Sequence, residues 1–170
     1  MPECYADTLL IETLVPPKSG YNHKHSCFKV ESAMKSVDKF ALGIIDNDKK
    51  QIKYLEKFEI IDELTGSLIL WKHNNLSQFI IQICPALEKW VLNVCETENI
   101  DVTEIGLMHD LEEMKRYTKS VSSIEDKKLK WLFKAISNKE ENISVRKLRG
   151  WVKLLKEKNY QVEINELKNV

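Results

Sequence analysis

Two carboxylates one residue apart, Asp46 and Asp48, follow the apolar run of residues 40–45. On an extended backbone side chains alternate with period two, so both carboxylates project to one side where the strand ends. Like charges held that close are costly unless water reaches both or a cation lies between them. A hard divalent ion, Mg²⁺ or Mn²⁺, relieves that cost because it takes oxygen ligands. Such an ion keeps open positions for a water and a phosphate oxygen, which is what phosphodiester cleavage requires. A solvated turn after a buried strand accounts for the same residues without any chemistry.

Other groups join this pair. Glu12 lies near the end of the first apolar segment, residues 8–15, where it would act as a third metal ligand or as an acid/base. Lys49 follows the aspartates directly, and Lys72 and His73 close a later apolar run, residues 67–71; all three would contact phosphate. His23, His25 and Cys27 alternate, but no fourth ligand follows at zinc spacing. Cys4, Cys27, Cys84 and Cys95 are scattered without a C-x-x-C pair and read as small buried hydrophobes.

Bringing these groups together takes alternating strands and helices. Residues 8–15 read as a first strand, stopped by Pro16 and Pro17. Ser26 caps a helix carrying Cys27, Val30, Met34 and Val37, and residues 40–46 form the second strand. A short helix over residues 50–56, strands at 67–71 and 78–83, and a helix opened by Pro85 follow. The pattern predicts an α/β fold, a small parallel Rossmann-like sheet between helices, with ligands bound outside the carboxyl ends of the strands. Glu12, Asp46, Asp48, Lys72 and His73 all fall at that edge. Beyond residue 102 only helices are expected: one with Leu107, Leu111 and Met114, one capped by Ser123, and one capped by Ser144. The expected division is an α/β domain over residues 1–102, with a basic helical region over 103–170 packed on it.

Net charge is zero over 170 residues, but residues 1–102 carry 11 basic against 15 acidic groups and residues 103–170 carry 15 against 11. Within residues 127–158, 11 basic residues face only 3 acidic ones. A basic stripe beside an acidic metal site suits DNA or RNA as partner, with Arg146, Arg149 and Lys153 as phosphate contacts and Trp151 as the candidate for base stacking.

The acid on a first strand, with Asp46-Asn47-Asp48 on the next, resembles the Toprim domain. The matching stretches are residues 9–12, Leu-Leu-Ile-Glu, and residues 42–48, ending in Asp-Asn-Asp. The nearest flavour is the standalone Toprim-like nucleases of the OLD-family and RloB-like groups in bacterial defence systems. The resemblance implies a small parallel sheet between helices. It also implies that Glu12 serves as acid or base while Asp46 and Asp48 bind Mg²⁺. Glu88 matches a later glutamate of those nucleases. Thr13 departs from the Gly that follows the glutamate in topoisomerases and primases.

The expected function is therefore a Mg²⁺-dependent nuclease or related phosphoryl-transfer protein, in which a partner ATPase or other protein could take part. The alternative is a non-catalytic interaction protein whose Toprim-like sheet is a scaffold and whose basic helices bind a nucleic acid or an acidic protein. An Asp-nucleophile phosphatase would carry its Asp-x-Asp on the first strand, which this chain does not. With no run of about 18 apolar residues and no basic, apolar leader, the expectation is a cytoplasmic protein without membrane association.

Overall fold

The computed structural model describes residues 1–16, 21–47, 52–121 and 125–170. Asp48, Lys49 and the Ser123 cap expected for a C-terminal helix lie outside the described residues.

The first apolar segment is a helix, not a strand. α1 (Tyr5–Leu14) starts at Cys4, whose sulfur accepts from the Asp7 N–H while the Asp7 carboxylate accepts from the Cys4 N–H at 2.8 Å. This is a capping box with cysteine in the place usually held by serine or threonine. Nearly the whole helix is buried, including Leu9, Leu10 and Ile11. A helix apolar on all sides carries no 3.6-residue signature, and its β-branched residues then mimic a strand.

α2 (Cys27–Lys35) begins at Ser26, whose hydroxyl accepts from the Lys29 N–H, as the sequence indicates. β1 (Ala41–Asp46) follows. Beyond a 3-10 helix at Lys53–Lys57 come β2 (Phe58–Leu64), β3 (Leu68–His73) and β4 (Gln78–Ile83). The sheet order is β1-β4-β3-β2. β1 and β4 are parallel, Ala41 opposite Gln78 through Asp46 opposite Ile83, while β2–β3 and β3–β4 are antiparallel. The sheet is thus mixed rather than parallel. The unexpected strand is β2, where a register shift between Ile60 and Asp62 breaks the period-two pattern that would have marked it. Gly66, at φ +72°, makes the β2–β3 turn. On the other side of β1, Pro2 pairs parallel to Ile44, and the Ile44 N–H donates to the Met1 carbonyl at 3.1 Å.

α3 (Leu87–Thr97), α4 (Leu111–Ser120), α5 (Lys127–Ser137), α6 (Ile143–Lys158) and α7 (Ile164–Lys168) complete the chain. Asp126 caps α5, and Asn142 rather than Ser144 caps α6. Alternation along β1 sends Ile44 to one layer and Ala41 and Ile45 to the other. On the first side, α1, α3 and the C-terminal helices build one core that includes Leu10, Trp90, Phe133, Leu148 and Trp151. On the second, α2 and the 3-10 helix cover Ala41, Ile45 and Ile80.

α2 lies so close to β1 that a Cβ on Gly43 would sit 2.8 Å from Met34 Sδ and 3.0 Å from Val30 Cγ1. Gly43→Ala is expected to overpack this layer and cost about 1–3 kcal/mol, read as a lower denaturant midpoint at unchanged slope.

Candidate functional site

Asp46 is the last residue of β1, on the side facing α1 and α3. Its Oδ1 accepts from the Leu87 N–H at 2.9 Å, closing the first turn of α3, where Ala86 offers no side-chain cap. Its own N–H donates to Glu3 Oε2 at 3.3 Å. Glu3 follows the extended Met1–Pro2 segment beside β1 and precedes the cap of α1. Asp7 in the first turn of α1, Glu3, and Glu88 in the first turn of α3 all act on Asp46 through their charge. Four carboxyl groups therefore gather at the carboxyl end of β1, beneath the N-termini of two helices whose dipoles favour negative charge.

That charge is incompletely compensated. Asp7 is 2% exposed, and while its Oδ2 holds the Cys4 N–H, its Oδ1 is buried without a hydrogen-bond donor. Burial raises the Asp7 carboxyl to about 7, with the Glu3 and Glu88 charges adding to the rise. Burial raises Asp46 to about 9, helped by the charges of Asp7, Glu3 and Glu88 and opposed by the Leu87 N–H. Among the described residues no ion pair forms to Asp7, Asp46 or Glu88. Lys115 senses the Glu88 charge but is paired with Glu112 at 2.7 Å. Glu88 accepts from the Thr118 hydroxyl of α4.

The oxygen-only donor set at this edge suits a hard divalent cation. Among the described residues, however, no three His, Cys, Asp or Glu side chains already stand as a metal-holding group. Asp48, the second half of the Asp-x-Asp pair, lies outside them.

Glu12 does not belong to this gathering. It is five residues beyond Asp7 in α1, about 140° around the helix and roughly 7.5 Å along it. There its charge acts on Tyr21, whose phenol is pushed up to about 12 mainly by burial. Lys72 and His73 are not at this edge either. β3 runs antiparallel to β4, so its end pairs with the start of β4, with Lys72 opposite Phe79 and Asp46 opposite Ile83. Four residues of strand separate the two levels, about 13 Å. The His73 ring is 5% exposed, and its Nδ1 accepts from the Asn75 and Leu76 N–H groups at 3.0 and 3.1 Å. That is a loop-capping role. Lys72 donates to the His73 carbonyl at 3.1 Å.

Of the α6 residues expected to contact phosphate, Arg146 and Lys153 are exposed. Arg149 turns back on α5, donating to the Ser137 carbonyl and standing 3.7 Å from Glu140. Trp151 cannot stack on a base: it is fully buried, and its Nε1–H donates to the Leu167 carbonyl at 2.9 Å. The His23 and His25 rings pack on each other and on Tyr5, and Cys27 is buried between α2 and β1.

Sequence reasoning missed Glu3 and Asp7. The start of α1 is hidden because cysteine, not one of the usual capping residues, holds the cap, with Asp7 rather than Glu or Gln three residues on. Among the described residues no helix is long and apolar enough to cross a membrane. No family model, curated protein or solved structure matches the chain.

Proposed function

We propose that the chain is a Toprim-like phosphoryl-transfer protein, a Mg²⁺- or Mn²⁺-dependent nuclease acting on DNA or RNA. The observation that carries this reading is the placement of Asp46 at the end of β1, its N–H on Glu3 and its Oδ1 on the Leu87 N–H just ahead of Glu88, with Asp7 Oδ1 buried and lacking a donor. A carboxylate on an extended segment, next to an aspartate ending the neighbouring parallel strand, also supports the resemblance. It moves the first acid from Glu12 to Glu3. When bound, the cation would neutralise charge on a phosphate oxygen and acidify a water. Asp46 and Glu3 would hold it together with Asp48. Asp7, with its carboxyl raised toward neutrality, would keep or release a proton beside them. The exposed Arg146 and Lys153 would contact phosphates.

A second reading is favoured by one detail. Asp46 Oδ1 and Asp7 Oδ2 each already satisfy a backbone N–H, the jobs of structural caps. In that reading the acids share protons, and the protein is a non-catalytic module whose basic helices bind a nucleic acid or an acidic protein. Direct titration with Mn²⁺, followed by electron paramagnetic resonance, separates the two. The nuclease reading expects one tight Mn²⁺ per chain, lost in Asp46→Asn, and metal-dependent cleavage of DNA or RNA. A wild-type chain that takes up no Mn²⁺ and cuts neither polymer would leave the scaffold reading standing.

A further inference from the structure

We infer that the outward face of α5 is a stacking platform for single-stranded nucleic acid, centred on Trp131. This rests on the proposed nucleic-acid function and names its substrate class.

The helix is divided cleanly. Leu129, Leu132, Phe133 and Ile136 are buried on one side. At 100° per residue, Lys127, Trp131, Lys134 and Asn138 fall within about 60° of arc on the other. Trp131 is 40% exposed at the middle of that polar face, whereas Trp90 and Trp151 are core residues. Neighbours three and four positions away lie about 5–6 Å apart at Cβ, so Lys127 and Lys134 bracket the indole. Both lysines are exposed, and among the described residues neither is held in an ion pair. Nor does any described cation or aromatic ring lie over the Trp131 indole. Lys130, on the flank, is engaged by Glu125.

A large aromatic exposed on a lysine-rich face fits a ligand that is anionic at regular intervals and offers flat apolar rings between its charges. Single-stranded nucleic acid has that alternation. A duplex hides its rings, and an acidic peptide lacks them. Location adds to the fit. The buried side of α5, through Leu129, Leu132 and Phe133, lines the same small interior gap as Leu87 and Glu88, which flank Asp46. A strand lying across α5 would be about one helix diameter, roughly 10 Å, from the acidic edge.

The experiment is fluorescence anisotropy with a labelled 15-nucleotide oligothymidylate, the same length of duplex, and poly-glutamate as competitor, all in EDTA. Wild type should bind the single strand. Trp131→Ala should weaken it by about 5- to 100-fold without changing the salt slope, and Trp131→Phe should restore most of the affinity. Lys127→Ala with Lys134→Ala should flatten the salt slope. Equal affinity of wild type and Trp131→Ala for the single strand, with both variants melting as wild type, overturns the platform. So does displacement of the strand by poly-glutamate at equal charge concentration, which would assign the face to an acidic protein. Working in EDTA separates this inference from the function it rests on: stacking without metal supports the platform even if the nuclease reading fails.

Discussion

Between pH 5 and 9, without metal, wild type is expected to lose stability steadily, while Asp7→Asn loses it more shallowly, keeping only the slope that the buried Asp46 carboxyl supplies. Burial, with the Glu3 and Glu88 charges, raises the Asp7 carboxyl to about 7, and burial, with the Asp7, Glu3 and Glu88 charges, raises Asp46 to about 9. In the unfolded chain both ionise near 3.9. Over the interval between, the folded protein holds protons that the unfolded chain has released, so raising the pH favours unfolding. Each proton of difference costs about 1.4 kcal/mol per pH unit, and the loss ends once the folded carboxyls have ionised. Asn at position 7 keeps an oxygen for the Cys4 N–H and removes one charge from beside Asp46. At pH 8 the variant should therefore melt above wild type. Mg²⁺ or Mn²⁺ should close that gap from the other side. A ligand at one hundred times its dissociation constant stabilises the folded state by about 2.7 kcal/mol. For a chain of this size that amounts to a rise of about 5–10 °C in Tm, seen in wild type and absent from Asp46→Asn. Thermal melts in the two buffers decide it. A wild type whose Tm is level across this pH range, with and without millimolar metal, would mean that these carboxyls are ordinary solvated groups.

The elements with a clean period could be read from the sequence, and those without one could not. α2, β1, β3, β4 and α3 were legible from spacing, a serine cap and β-branched runs. α5 was legible because its apolar stripe is narrow and its opposite face is lysine-rich. α1 was misread for the converse reason: buried on almost every side, it shows no polar face to set the period. That single error displaced the candidate site. With residues 8–15 taken as a strand, Glu12 stood at a strand end; as a helix, the same segment turns Glu12 toward Tyr21 and brings Asp7 to β1. Asp46 keeps its place because six mostly apolar residues followed by an acid end a buried strand whether it lies inside the sheet or, as here, at its edge. Lys72 and His73 failed through topology. Whether a strand is parallel or antiparallel is decided by its connections, and the short loop of residues 74–77 between β3 and β4 allows only a reversal. Glu88 was singled out on its motif and does lie at the acidic edge.

The exchange of Glu3 for Glu12 is the sharpest consequence. Glu3→Gln is expected to lower metal-dependent cleavage by about 100-fold or more, the scale of a lost acid/base or ligand in such a site, and to weaken Mn²⁺ binding alongside. Glu12→Gln is expected to leave both within a few-fold of wild type. Glu12 is itself 6% exposed, so the neutral, equal-sized replacement acts on stability and not on a site it does not face. Its Tm should therefore be measured alongside. Glu3 is linked to the end of β1 by the Asp46 N–H, and glutamine can still accept that hydrogen bond. Loss of metal binding in Glu3→Gln would then report the missing charge rather than a misplaced strand end. Mn²⁺ affinity gives the comparison a readout that needs no substrate. If Glu12→Gln lost the metal and Glu3→Gln kept it, the centre built around the end of β1 would be wrong, because Glu3 holds the Asp46 N–H while α1 turns Glu12 toward Tyr21.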